Sequence, residues 1–467
     1  MLVALVVTFI VGYACIALEH PLKVNKTASA LLLGVVTWTL YALSQSTFGA
    51  GLSHEEWHAA LSGNLIHHLG STAEIVFFLL GAMTIVTLVD EYQGFRIITQ
   101  YITTRNKKKL LWVLSFVTFF LSAVLDNMTT AIVMCALLRK LVPDQKERWL
   151  FAGMVILAAN AGGAWSPIGD VTTIMLWIGG QVTTVNIMVK TLVASLACMI
   201  VPVAICGAML KGDLGEVGKD EGGIEIPRKW QNLIFFVGIG CLIFVPIFKT
   251  ITHLPPYLGM LFGVGILWVL TEIIARKNPI EGGSLPTASK TLEHIDTPSI
   301  LFFLGILMAV ACLETCGALG QLASSLNDTF LSMKAGDEPI GFFVIDLVIG
   351  VLSSIVDNVP LVAASMGMYP LTGEEVLFAV NHPFWEFLAY CAGCGGSLLI
   401  IGSAAGVAVM GMEKIDFIWY VKKISWLALI GYLAGAVVFI AMDLTIFESI
   451  PFFRDLASMP VTLPFVA

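Results

Sequence analysis

Apolar residues fill runs of about 20 along this chain, the length a helix needs to cross a hydrocarbon core of roughly 30 Å. These runs predict spans near 1–19, 27–48, 73–90, 149–179, 186–210, 231–250, 254–275, 298–316, 384–412 and 424–443. Two further apolar stretches, 109–142 and 340–370, are interrupted by polar residues. The segment 54–72, with His67 and His68, predicts an amphipathic helix lying on the external surface. A polar linker, 211–230, carries five glycines among its charges and separates two halves. The pattern predicts an all-α polytopic membrane protein.

Composition agrees: 57% of residues are hydrophobic and 12% charged, with mean hydropathy +0.89, which leaves too few polar residues to cover a soluble globule. No basic patch with interleaved aromatics points to nucleic acid, and no phosphate-binding loop or Ser-His-Asp arrangement points to ATP use or hydrolysis. The chain is read as a non-enzyme without a cofactor. The nine cysteines lie almost entirely in apolar segments and imply no disulfide framework; Cys391 and Cys394 are the one pair with metal or redox spacing.

Loop charges set the topology. With the N-terminus outside and both interrupted stretches returning to the side they enter from, 21 of the 25 Lys and Arg fall on the cytoplasmic side; Lys190, Lys249, Lys334 and Arg454 are the exceptions. If 109–142 spanned instead, the cluster Arg105, Lys107, Lys108, Lys109 and the cluster Arg139, Lys140, Lys146, Arg148 would lie on opposite faces. Each half then counts five spans and one re-entrant hairpin, and an odd number of crossings turns the second half upside down. The expected organisation is a first inverted repeat, 1–210, with a cytoplasmic-side hairpin at 109–142 and a broken span at 149–179. A cytoplasmic linker, 211–230, follows, and then a second repeat, 231–467, with an external-side hairpin at 340–370 and a broken span at 384–412. Residues support the duplication: Gly81 to Asp90 aligns with Gly305 to Glu314, Ser122 to Asn127 repeats 231 residues later as Ser353 to Asn358, and Gly162, Gly163 and Gly169 match Gly395, Gly396 and Gly402. Inverted repeats mark secondary transporters, whose sites lie at the midplane where discontinuous helices meet.

Two constellations carry chemistry. Each hairpin tip, Asp126-Asn127-Met128-Thr129-Thr130 and Asp357-Asn358-Val359-Pro360, puts a carboxylate beside a carboxamide at a depth where hydrocarbon belongs. These residues end helices and supply hard oxygen ligands for a hard cation; alternatively, each Asp only caps the following arm. The broken spans are Asn160 to Thr173, with Ser166, Pro167 and Asp170, and Gly393 to Ser403, with Ser397. Breaks persist in a membrane where they line a cavity, although glycines also serve plain helix packing. Asp170 becomes Ser403 in the second half and Asn160 becomes Gly393, so the first half is richer in ligands. A single Na+ site would centre on Asp126, Asn160, Asp170 and Thr172, with Asp357 and Asn358 closing it, Asp126 exchanging and Asp357 supporting. Glu74, Asp90, Glu314 and Asp346 rank second; Asp90 and Glu314 sit at span ends, and Glu386 is placed at water level. His67, His68 and His382 are read as solvated groups or pH sensors.

The residues Leu125 to Thr130, Asn160 to Gly163 with Ser166 to Thr173, and Val356 to Pro360 resemble the NhaD-type sodium/proton antiporters, within the superfamily that also holds citrate, dicarboxylate and arsenite transporters. The resemblance spans nearly the whole chain. It implies exchange of cytoplasmic Na+ or Li+ for external H+, a bacterial inner-membrane location, commonly a homodimer, and polar site positions at Asp126, Asn127, Asn160, Asp170, Thr172, Thr173, Ser353, Asp357, Asn358 and Ser397. After Ser397 the chain reads Leu398-Leu399-Ile400, where the family often has further hydroxyls. An Asp at each tip repels a dicarboxylate and fits a cation, so Na+ and H+ would compete for the same carboxylates. A Na+-coupled carboxylate symporter, an arsenite-type permease, an intramembrane aspartate enzyme and a channel are the alternatives.

Overall fold

The computed structural model describes residues 1–100, 102, 104–214, 226–278, 285–331, 333–335, 338–355, 357–372 and 376–447. The centre of the expected linker, 215–225, and the last twenty residues of the expected second repeat lie outside them. Within the described residues the chain is almost wholly helical; a two-residue antiparallel pair, β1 (Lys334–Ala335) with β2 (Glu338–Pro339), is the exception.

The principal helices are α1 (Leu2–Ala17), α2 (Lys26–Ala42), α3 (His54–Glu91), α4 (Lys107–Leu125), α5 (Asn127–Leu141), α6 (Gln145–Ala164), α7 (Val171–Ile178) and α8 (Thr184–Met209). They continue with α9 (Arg228–Thr252), α10 (Pro256–Lys277), α11 (Thr297–Thr315), α12 (Ala318–Leu326), α13 (Gly341–Leu352), α14 (Asn358–Met368), α15 (Pro383–Gly395), α16 (Ala404–Glu413) and α17 (Trp426–Met442). Among the described residues, seven helical segments are long and apolar enough to cross a membrane. Large apolar side chains such as Val3, Leu32, Phe120, Phe236 and Val437 are exposed, as expected where hydrocarbon rather than water is the solvent. The protein is a multi-pass membrane protein.

Local chemistry fixes the helix starts. Asn106 caps α4 by accepting from Lys109 N, Asp144 caps α6 by accepting from Glu147 N at 2.8 Å, and α15 starts with His382 as cap and Pro383 in its first turn. One expectation is corrected: 54–72 is no separate surface helix, because α3 runs unbroken for 38 residues from His54 to Glu91. Gly63 and Gly70 weaken a helix without ending it, and no proline interrupts the run.

The fold forms two compact units, each drawing on both halves of the sequence. The first is Met1–Leu79, Asp296–Ile345 and Val359–Ala379. In it α2 packs on α11: Gly34 and Gly305 bring the backbones together, and the Trp38 indole donates to Met308 O at 2.8 Å. Phe378 touches both Phe342, at the start of α13, and Tyr369, just past α14, with ring centroids 6.1 and 4.8 Å away. The outer ends of these two arms therefore lie together.

The second unit is Leu80–Ile295, Asp346–Asn358 and Val380–Ala467. Here Lys107 at the start of α4 pairs with Glu147 at the start of α6 at 2.5 Å, so α4 and α5 also begin and end together. Leu214 N donates to Arg105 O at 2.9 Å, which brings the chain beyond α8 to the same end. At the other end of α8, Asn381 N donates to Gln181 O and Thr183 N to Asn381 Oδ1, both at 2.8 Å.

Candidate ion-binding site

The hydrogen bonds described for the candidate site join residues of the second unit. Helix α4 stops at Asp126 because Asp126 adopts φ 94° and ψ 159°, a backbone region that is costly for any residue with a Cβ and that recurs at functional turns. Its carboxylate then starts α5: Oδ1 accepts from Thr129 N and Oδ2 from Thr129 Oγ1, both at 2.8 Å. The capping role set beside ligation in the sequence reading is thus present. Asp126 is half-buried, and a carboxylate accepting two hydrogen bonds keeps further lone pairs for a cation.

The residue that reaches across is Asn127. Its Nδ2 donates to Asn160 Oδ1 at 3.1 Å and to Asp170 Oδ1 at 3.2 Å, using both amide hydrogens. Asn160, fully buried on α6, donates in turn to Ser397 Oγ at 2.8 Å and Ser403 Oγ at 2.9 Å. This chain of amides and hydroxyls joins the tip of the first hairpin to both helix breaks. Burying Asn160 without these partners would cost about 1–3 kcal/mol per unmet group, so the network holds the site in one arrangement.

Asp170 is the centre of the network. It stands at the N-cap position of α7 with extended backbone, φ −146° and ψ 144°, yet its side chain makes no hydrogen bond of the usual N-cap geometry. Instead Oδ2 accepts from Thr172 Oγ1 at 2.8 Å and Asn358 Nδ2 at 3.5 Å, while Oδ1 accepts from Asn127. Ser403 has nearly the same backbone, φ −141° and ψ 152°, and does cap its helix, α16, through Gly406 N. The group is 2% exposed, and among the described residues no Lys or Arg is paired with it. Asp357 is half-buried and close enough for the two negative charges to repel. Gly393 leaves room for this arrangement, since a Cβ there would stand 3.1 Å from Asp170 Oδ2. A buried carboxylate at Asp170 among neutral oxygens, with the Asp357 charge near it, is chemically suited to neutralisation by a proton or a hard cation.

The other expected residues separate by role. Thr130 and Thr173 are fully buried with hydroxyls that have no hydrogen-bond partner among the described residues. Ser166 donates to Ala123 O at 2.5 Å and ties the first break to α4. Ser353 donates to Gly350 O at 2.8 Å and Ala392 O at 3.1 Å, tying α13 to α15 as Ser122 ties α4 to Ala159 O of α6 at 2.6 Å.

Sequence reasoning missed other polar groups. Glu386 is not at water level: it is fully buried, accepts from Asn186 Nδ2, and lies 4.0 Å from Lys190, itself only 4% exposed. A carboxylate three residues into a span looks interfacial until its partner on another helix is known. Glu413, also buried, accepts from Arg139 Nε at 2.7 Å and Arg148 Nε at 2.6 Å. Ser403 joins the network although its sequence signal was only its alignment with Asp170.

A family model described as citrate transporter matches residues 13–385. The chain is 46% identical to Sodium/proton antiporter 1 of Arabidopsis thaliana over 451 residues, covering 96% of this chain and 73% of that protein. It is 41% identical to Sodium/proton antiporter 2 of the same plant, covering 93% and 98%. It is 29% identical to the Na(+)/H(+) antiporter NhaD of Vibrio cholerae, covering 94% and 91%. The family-model match takes in both hairpin tips and the first break and ends before the second break; the chain belongs to the NhaD-type sodium/proton antiporter family.

Proposed function

We propose that this protein is a secondary antiporter that exchanges cytoplasmic Na+ or Li+ for external H+ at the buried carboxylate site centred on Asp170. The observation that carries the reading is that Asp170 is buried, held by three neutral donors, near the charge of Asp357, and itself has no basic partner among the described residues. Na+ binds Asp170 with amide and hydroxyl oxygens from Asn127, Asn160, Thr172, Thr173 and Asn358, and Asp126 adds negative charge at the tip. Proton and cation cannot both neutralise one carboxylate, so each displaces the other as the site opens alternately to the two sides. Paired carboxylates repel a dicarboxylate, which disfavours citrate or succinate as cargo.

The basic end of the second unit, with Lys107, Arg139 and Arg148, faces the cytoplasm or the organelle compartment equivalent to it. With that orientation α4–α5 enters from the cytoplasmic side and α13–α14 from outside, in two inverted repeats with external termini. A bacterial inner membrane, a homodimer and a role in pH homeostasis complete the proposal; they rest on the family resemblance and the charge pattern.

The test is Na+-induced collapse of ΔpH in everted vesicles, scanned over Na+, Li+ and K+. Asp170→Asn keeps the shape and removes the exchangeable charge, so exchange is expected to vanish at normal protein levels; near-normal exchange by the folded variant would sink the reading.

A further inference from the structure

One buried carboxylate of the second unit has no part in this network or, among the described residues, in any ion pair. Asp346 lies on α13, the first arm of the second hairpin, is fully buried, and has no hydrogen-bond partner for either carboxyl oxygen among the described residues. The titratable groups that face it are the Cys391 thiol of α15 and the Tyr432 hydroxyl of α17, both neutral, and Tyr432 spends its proton on Leu347 O at 3.0 Å. An ionised carboxylate with neither donor nor cation is among the most expensive groups to keep in a membrane interior, so Asp346 rests as the carboxylic acid. The neutral acid costs less there than the carboxylate and holds a proton that can be put to use.

Its position gives that use. Asp346 stands five residues, or about 7.5 Å of helix, beyond the first residue of its arm and seven residues, about 10 Å, before Ser353. The position one repeat offset earlier is Ser115, also buried and without a hydrogen-bond partner among the described residues. The polar slot occurs in both arms, but only the second holds a group that can carry a proton.

We propose that Asp346 is a proton station between the external water and the carboxylate pair Asp170 and Asp357, an inference that rests on the antiport reading above. When Na+ leaves the pair, the O–H bond of Asp346 breaks and one forms on the pair; the Asp346 carboxylate is then reprotonated from the aqueous side of its arm. No electron changes hands and the only species moved is H+.

Reconstituted protein distinguishes this station from the cation site, because exchange of radiolabelled Na+ for unlabelled Na+ needs the site but no net proton movement. Asp346→Asn is expected to slow Na+/H+ exchange by about a hundredfold or more, the lower end of what one positioned proton-transfer group contributes, while Na+/Na+ exchange stays within about twofold, as for a substitution at an independent site. Asp346→Glu, which restores a proton carrier, is expected to recover Na+/H+ exchange. Unchanged Na+/H+ exchange in Asp346→Asn overturns the proposal, and so does loss of both modes, which would assign the residue to the cation site or to folding. Absence of either mode in the unmodified protein would instead fail the antiport reading itself.

Discussion

At the residue scale the site depends on separating charge from shape. Asp126 caps α5 through Oδ1, which accepts from Thr129 N, while Oδ2 accepts from the Thr129 hydroxyl; Asn is as good an N-cap as Asp, so Asp126→Asn retains the start of the helix while removing the charge. The expected outcome is a protein with unchanged thermal stability and strongly reduced Na+-induced ΔpH collapse; full activity would leave Asp126 as a cap alone. The residue types at this site were legible in the sequence because polar residues in a membrane segment are conspicuous. Their pairing was not, since Asp126 and Asn127 are neighbours in the chain and only the backbone geometry at φ 94° decides which of them reaches Asn160 and Asp170.

At the element scale each broken helix is held against a hairpin arm by backbone contact. A Cβ on Gly162 would run into the Phe119 carbonyl oxygen, and one on Gly395 into the Gly350 carbonyl oxygen, a pair 231 to 233 residues further on. Gly162→Ala and Gly395→Ala are each expected to lower stability by about 1–3 kcal/mol, the usual cost of overpacking. Gly240→Ala, with open space around it on α9, is expected to be neutral or stabilising by up to about 1 kcal/mol. Thermal unfolding of the purified variants in detergent checks the contrast; equal behaviour of all three would show that the close approaches do not hold the breaks. The glycines were visible in the sequence, but close packing and helix breaking use the same residue, and only neighbouring backbones tell them apart.

At the scale of the whole molecule, charge is sorted along the second unit. Its basic end is gathered by Glu413, whose buried carboxylate holds Arg139 of α5 and Arg148 of α6 against the end of α16. Glu413→Gln keeps the volume but leaves two guanidinium groups without their counter-charge. Arg139 is half-exposed, which limits the loss, and a drop of about 1–3 kcal/mol in stability is expected, with exchange retained at low temperature. An unfolding midpoint equal to that of the parent would remove Glu413 from this role. Nothing in the sequence distinguished Glu413 from an ordinary loop charge beside Lys414, because its partners are more than 260 residues away.

The sequence by itself determined that this is a multi-pass helical membrane protein, where polar residues interrupt its apolar stretches, and that Asp, Asn and Thr oxygens crowd at those interruptions. Those follow from local physics: apolar run length, the turn and capping chemistry of Asp, Asn and Thr, and the cost of placing a carboxylate in hydrocarbon. Only the tertiary structure decided that α3 is one helix, that Glu386 is buried beside Lys190, and that Asp170 rather than Asp126 sits where the amide and hydroxyl network converges. Each of those depends on which distant helix comes to lie alongside. A side chain's partners across a helix interface are set by packing, which run length, residue type and spacing do not encode.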